Sequence, residues 1–344
     1  MTPSYKLVVD GQTITPKIAA RLESLTLTDA RGFTVDTLDI CLTDHDGALT
    51  IPRRGATVQL WLGWKGEALE DKGTYVVDEV EHTGTPDKLT IRARSGDLRS
   101  RLTKKLECSF NGLPLGDIVR TCAARNGLIP IIPPDLASIQ TEHVDQSGES
   151  DANLLTRLAR DYGAIATVKA GKLLFIPPGQ ATTASGQPLP PVVITRQDGD
   201  QHRFAVADRA SYTAVRANYH DVKKAQRAFV IVGTEEEIDS TEVETPTEPT
   251  ASNTKELRHT YTTRNNAQRA AKAELQRIQR GLATFTLTLA IGRPDLFPEI
   301  PVSVQGFKPE IDATNWLITR AVHRLDGSGL STTLDMELKL SGDL

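Results

Sequence analysis

Apolar and polar residues alternate strictly over 333–340: Leu334, Met336, Leu338 and Leu340 against Thr333, Asp335, Glu337 and Lys339. A side-chain period of two is the pattern of a strand with one buried face. Just upstream, Asp326-Gly327-Ser328-Gly329 is a turn cluster whose glycines can take positive φ. The ribbon entering that turn carries Trp316, His323 and Asp326. An acid–base pair and a plain hairpin are the two readings of this stretch. The hairpin is favoured, because a turn aspartate commonly bonds its own backbone and no serine or cysteine nucleophile is identifiable beside His323.

The same ribbon occurs earlier in the chain. Gly63-Trp64-Lys65 matches Gly306-Phe307-Lys308, and Tyr75-Val76-Val77 matches Trp316-Leu317-Ile318. His82 follows Tyr75 at the spacing that separates His323 from Trp316, and a turn and a second alternating strand (Leu89, Ile91, Ala93) come next. Two such copies, over 57–94 and 301–340, indicate a duplicated β-domain. Its anchors are Gly63, Tyr75, Val77 and His82 in one copy and Gly306, Trp316, Ile318 and His323 in the other.

At 344 residues the chain suits two or three domains. With 39% hydrophobic and 24% charged residues it has the make-up of a globular protein. The net charge of −4 gives no general attraction to nucleic acid or anionic membrane, and 5% aromatics argues against a base-stacking binder. The cysteines Cys41, Cys108 and Cys122 are an odd set with no C-x-x-C pair, and they read as small buried hydrophobes in a reducing compartment. Neither a signal peptide nor a bilayer-spanning apolar run is visible, so synthesis in the cytoplasm and no membrane insertion are expected.

The chain is strand-rich up to Arg94. In the middle, "LPLGDIVRTCAARNGL" gathers Leu115, Ile118, Val119, Cys122 and Ala123 on one helical face and closes at Gly127. "SDANLLTRLARDYG" is a second helix, with Ser150 as N-cap and Leu154, Leu155, Leu158 and Tyr162 on one face. A hairpin turning at Ala170-Gly171 completes an α+β module, and 177–191 reads as a Pro/Gly-rich linker. Beyond it, 233–256 is acidic and nearly devoid of apolar residues, which predicts a flexible, solvated loop. A helix over 263–282 places Ala267, Ala271, Leu275, Ile278 and Leu282 in one stripe, with Arg264, Arg269, Lys272 and Arg280 on a solvated face.

No P-loop, G-x-S-x-G elbow, H-E-x-x-H or dinucleotide fingerprint is present. "DHDG" at 44–47 lacks the further ligands of a calcium loop, position twelve being Gly55. The histidines are scattered without ligand spacing. No catalytic, cofactor-binding or metal residues are therefore assigned, and no cofactor is expected.

In order and spacing, "IPRRGATVQLWLG", "GTYVVDEVEHTGTPDKLTIRARSGDLR", "LPLGDIVRTCAARNGL", "DQSGESDANLLTRLARDYGAIATVKAGKLLF", "ITRQDGDQHRF", "LRHTYTTRNNAQRAAKAEL" and the 292–338 stretch resemble the phage late-control protein D family. This family supplies the baseplate hub of contractile tails and is related to the hub part of type VI secretion spikes. The resemblance implies a mainly β, α+β chain: a tube-like β-barrel or sandwich domain at 1–102, a smaller α+β module at 103–180, and a second tube-like domain at 181–344. It further implies a non-enzymatic homotrimer that joins a trimeric tail spike to the hexameric tail tube and initiates the tube. Tape measure and other baseplate proteins would be neighbours, DNA would pass the channel without specific binding, and the product would be incorporated in the virion or tail particle. A tail-associated cell-wall hydrolase and a carbohydrate-binding β-protein are the alternatives. The first lacks a catalytic constellation, and the second would want more exposed aromatics than 3 Trp and 6 Tyr supply.

Overall fold

The computed structural model describes residues 1–96, 102–169, 171–180, 189–206, 212–221, 226–233, 237–238 and 253–340. It is mainly β. The first lobe contains β1 (Pro3–Val9), β2 (Gln12–Thr13), α1 (Thr15–Ile18), β3 (Leu22–Ala30), β4 (Thr37–Thr43), β5 (Thr57–Trp64), β6 (Glu70–Thr83) and β7 (Lys88–Ser95). Its strands run β2-β1-β5-β6-β7-β4-β3 through one curled sheet. Alternation dictates the buried face: Leu38, Ile40 and Leu42 from β4 and Val58, Leu60 and Leu62 from β5 all point into one core. Leu325 and Leu330, from the far end of the chain, complete that core.

The middle module has β8 (Lys105–Asn111), α2 (Leu115–Asn126), β9 (Ile129–Ile131), α3 (Pro134–Ala137), β10 (His143–Ser150), α4 (Asp151–Asp161), β11 (Ile165–Lys169) and β12 (Lys172–Ile176). The apolar faces of α2 and α4 meet Phe110, Val168 and Phe175 in a separate core. Each fully buried leucine or isoleucine there stabilises the module by about 1.5–3 kcal/mol. Gly127 ends α2 at φ +69°, and Ser150 caps α4 by accepting the Asn153 N–H at 3.2 Å. Leu102, assigned from sequence to the first lobe, packs in this second core.

The second lobe holds β13 (Val192–Thr195), β14 (Gly199–Val206), β19 (Ala283–Leu289), β20 (Pro301–Gln305), α6 (Pro309–Asp312), β21 (Asn315–Asp326) and β22 (Gly329–Leu338). Between β14 and β19 comes a unit with its own core: β15 (Ala214–Asp221), β16 (Gln226–Gly233), β17 (Glu237–Ile238), β18 (Thr254–Tyr261) and α5 (Arg264–Arg280). The 181–344 stretch thus carries two cores, not one. Its strands were masked in sequence by the acidic tract that separates them. Most of the flexible loop expected at 233–256 lies outside the described residues; Glu237 and Ile238 pair with β16, and residues 254–256 open β18.

Helix α5 buries Ala267, Ala270, Ala271 and Leu275 against this sheet and stops at Gly281. Leu282, expected in the buried stripe, lies beyond the helix and is exposed. Arg280, expected on the solvated face, is buried and stands 3.6 Å from Glu337. Of the cysteines only Cys122 is buried; Cys41 and Cys108 are half-buried, and all three are free thiols.

Candidate functional site: two matched ribbons and their junction

Sequence repetition marks the two ribbons, and strand pairing gives their geometry. Tyr75 sits opposite Val58 in β5 and Ser95 in β7; Trp316 sits opposite Val302 in β20 and Leu338 in β22. Val77 faces Ala93, and Ile318 faces Met336. Each ribbon then skips one residue, Asp78 between Val77 and Glu79 and Thr319 between Ile318 and Arg320. A bulge restores the inward set to the opposite parity, so the spacing to His82 and His323 is odd although both lie on the core side.

The match extends to strands in which no repeat is visible in the sequence. β4 pairs Leu38 with Ala93, and β19 pairs Phe285 with Met336. β3 then skips Glu23 against Leu42 and Cys41, while β14 skips Asp200 against Leu289 and Thr288. Four strand pairs with two equivalent bulges therefore stand in one register in both lobes.

The anchor side chains are less uniform. Tyr75, Val77, Trp316 and Ile318 are all buried in their lobes' cores. Tyr75 Oη donates to Lys72 O at 2.7 Å, and Trp316 Nε1 donates to Ile311 O at 3.1 Å. Gly63 and Gly306 differ in setting: Gly63 lies within β5 opposite Ser4, and Gly306 follows the end of β20. A Cβ on Gly63 would come 2.8 Å from Leu69 Cδ2, whereas Gly306 adopts φ +87°.

His82 and His323 occupy matched positions in unlike surroundings. His82 is part-exposed, with Nε2 3.3 Å from Asp44 Oδ2. His323 is sealed. Its Nε2–H donates to Leu296 O at 3.2 Å, so Nδ1 accepts the Thr332 hydroxyl at 2.9 Å. Thr332 Oγ1 in turn accepts the Arg293 N–H at 2.9 Å. Burial, reinforced by the nearby Lys72 charge, pushes the His323 pKa down to about 3. It is a neutral pin for the loop before β20. Asp326 accepts the Ser328 N–H at 2.8 Å within its own turn and is not its acid–base partner.

The lobes join at β21. One edge pairs with β22 throughout; the other is shared, residues 315–317 pairing with β20 and residues 320–326 with β3. The Arg31 N–H donates to the carbonyl of the bulged Thr319 at 3.1 Å. The Arg31 guanidinium bridges Glu299 and Glu337 of the second lobe. Glu299 is held at φ +76° and also accepts the Gly179 N–H at 2.8 Å. Strain of this kind costs about 1–3 kcal/mol and persists only where the surroundings fix it.

Other contacts converge on the same place. Lys169 from the middle module bonds Asp29 at 2.6 Å and also pairs with Asp36, and the Thr167 hydroxyl donates to Gly32 O at 2.7 Å. Half-buried Lys72, its pKa lowered by desolvation, donates to Pro294 O at 2.8 Å, and Trp64 Nε1 to Gly292 O at 3.1 Å. Asp29, Arg31, Lys72, Lys169, Phe297 and Glu299 line a cleft of about 680 Å³. Lysine and arginine neutralise its carboxylates, and among the described residues no cluster of His, Cys, Asp or Glu could hold a metal ion. Chemically the cleft is a clamp between modules. None of Arg31, Lys72, Lys169 or Glu299 was found from sequence, because each meets its partner only through the fold.

The family model described as "Phage tail baseplate hub (GPD)" matches residues 25–329. A "Probable baseplate hub protein" of Escherichia phage 186 is 44% identical over 366 residues, spanning 99% of this chain and 94% of that protein. Among solved structures, the 43 kDa tail protein of prophage MuSo2 from Shewanella oneidensis superposes with a TM-score of 0.70 at 16% identity, covering 97% of this chain and 98% of that one. The E. coli c3393 protein, a component of the type VI secretion system, shares the fold at a TM-score of 0.52 and 13% identity, over 93% of this chain and 74% of that chain. With the family match across most of its length, the chain belongs to the phage tail baseplate hub family, a structural and non-enzymatic component of the tail.

Proposed function

We propose that this hub is a homotrimer joining a trimeric spike to a hexameric tail tube and initiating the tube. Its two lobes are read as duplicated tube domains, so that three chains present six like units. The observation that carries this reading is the shared register of the lobes, down to the bulges at Asp78 and Thr319 and at Glu23 and Asp200. Chance resemblance between hairpins would not reproduce two bulges in four successive strand pairs. A ring of like units with repeated head-to-tail contacts meets a threefold partner on one side and a sixfold partner on the other.

In this reading the middle module and the β15–β18 unit stand outside the ring. Tape measure and other baseplate proteins are its neighbours, and DNA crosses the channel unbound. A net charge of −4 is compatible with such a passage, since a basic lining would retain the polyanion. Mass measurement of the chain in complex with its spike tests the proposal. Three copies are expected; a stable dimer, or a ring of six whole chains, overturns it.

A further inference from the structure

We infer that the groove between α4 and β18 is a docking site for an extended acidic segment of a partner protein, which adds as a strand to the free edge of β18. The groove is complete within one chain, so the proposal stands or falls separately from the threefold reading above. β18 is the terminal strand of its four-stranded sheet. It pairs with β15, and among the described residues no strand covers its outer edge. That edge borders a cleft of about 730 Å³, whose sides are β18 from Lys255 to His259 and α4, and which Ala270 and Glu274 of α5 also line. The Tyr261 hydroxyl donates to Asp161 at 3.2 Å and ties the two sides together at the C-terminal ends of β18 and α4. An uncovered edge beside a groove takes an extended peptide by strand addition: the main chain supplies affinity, and side-chain contacts supply specificity.

The charge of the lining selects an acidic occupant. Glu274 is buried and held by Lys255 at 2.7 Å and by Arg277 at 2.6 Å, and Glu149 is held by Arg157 at 2.8 Å. Arg160 and Arg258 are exposed and make no hydrogen bond or ion pair among the described residues. Of the lining carboxylates Glu256 is the exposed one, and the Asn218 side-chain amide donates to it at 2.7 Å. The charge left facing solvent along the groove is therefore mainly positive, from Arg157, Arg160 and Arg258.

The shape of the edge favours a single extended chain over the sheet of a second copy. Opposite Ala217 the register with β15 skips Leu257, Arg258 and His259, a bulge that bends β18. Bulges of this kind keep one flat sheet edge from joining another. With α4 standing on the far side of the cleft, there is room for a short stretch of chain but not for a folded sheet. A peptide can follow the bend, and acidic side chains along it would reach Arg160 on α4 and Arg258 on β18.

Fluorescence anisotropy on the full-length chain tests this, with the labelled peptide EVEVEV as probe and KVKVKV as its cationic counterpart. EVEVEV is expected to bind and KVKVKV is not. Arg160→Glu combined with Arg258→Glu should weaken EVEVEV binding about tenfold or more. Should charge reversal upset the chain, Arg160→Gln with Arg258→Gln removes the same charges and should weaken it in the same direction. Methylating alternate backbone nitrogens of EVEVEV should abolish binding in one phase and spare it in the other, since only one edge of the peptide meets β18. No binding by the parent chain, or unchanged affinity in both double variants, overturns the proposal. Binding that survives methylation in both phases shows attraction by charge alone and overturns strand addition. Self-association of the chain that the double variant abolishes would assign the edge to a second copy and overturn it equally.

Discussion

At the scale of single residues, the buried histidine makes the most specific demand. Its folded pKa, near 3, lies below the ordinary value of 6.5, so the unfolded chain takes up a proton that the folded chain refuses. The stability that neutral His323 contributes is present above pH 6.5 and is lost as the pH falls below it. By pH 5 the loss should be roughly 2 kcal/mol. Denaturant melts at pH 7.5 and 5 check this: His323→Gln should flatten the slope relative to the parent chain, and an unchanged slope would overturn the assignment. The matched aromatics bear on stability in another way. Trp316 packs on Phe285 with ring centroids 5.3 Å apart, and both Trp316 and Tyr75 are buried. Alanine at either position should cost about 3–5 kcal/mol, read as a lowered denaturation midpoint.

At the scale of elements, the bulge on β21 sets which side chains reach the core. Without Thr319, one residue fewer separates Ile318 from Ala321, His323 and Leu325, all of which are buried. Deleting Thr319 should therefore leave a regular ladder with those three still inward, whereas one alanine inserted between Val322 and His323, where no bulge absorbs it, should turn His323 and Leu325 outward or drag the hairpin out of register. For the insertion the expected outcome is an insoluble chain, or loss of amide protection across β21 and β22 by hydrogen exchange; unaltered protection would contradict the register argument. The strands themselves were legible in the sequence because alternation in runs such as Leu38, Ile40 and Leu42 reports a half-buried sheet directly. The middle helices were legible for the same reason, through their spacing and caps. The β15–β18 unit was not. Its strands β15 and β18 are parallel neighbours, Val215 against Lys255, brought together across a tract whose composition reads as a loop. Helix α5 could be placed on a sheet from its alanine stripe, but nothing local said which sheet.

At the scale of the whole molecule, three cores are tied to one point, where Arg31 meets Glu299 and Glu337 and Lys169 meets Asp29 and Asp36. Arg31 and Glu299 are 268 positions apart in the chain, so no local pattern could have paired them. Arg31→Ala would leave two carboxylates facing each other in a largely buried setting. Breaking such a pair from one side typically costs 3–5 kcal/mol. Thermal unfolding should then separate into more than one transition as the lobes lose their common melting; a single transition shifted only slightly would show that the sheet alone couples them. Fold class was thus within reach of sequence, while the joint that orients the lobes was not.

The sharing of β21 between β20 and β3 also has a history in time. Leu22–Ala30 leaves the ribosome well before the β21 edge that covers it. At ordinary synthesis rates the interval is roughly a quarter of a minute to a minute. Throughout it, the nascent first lobe presents a strand whose backbone groups lack their final partners, and Leu325 and Leu330 have yet to enter its core. A chain terminated at residue 300 would stay in that condition permanently, and is expected to be recovered in the insoluble fraction or bound to a chaperone. The architecture that joins the two lobes thus makes the growing chain dependent on protection until β21 and β22 arrive.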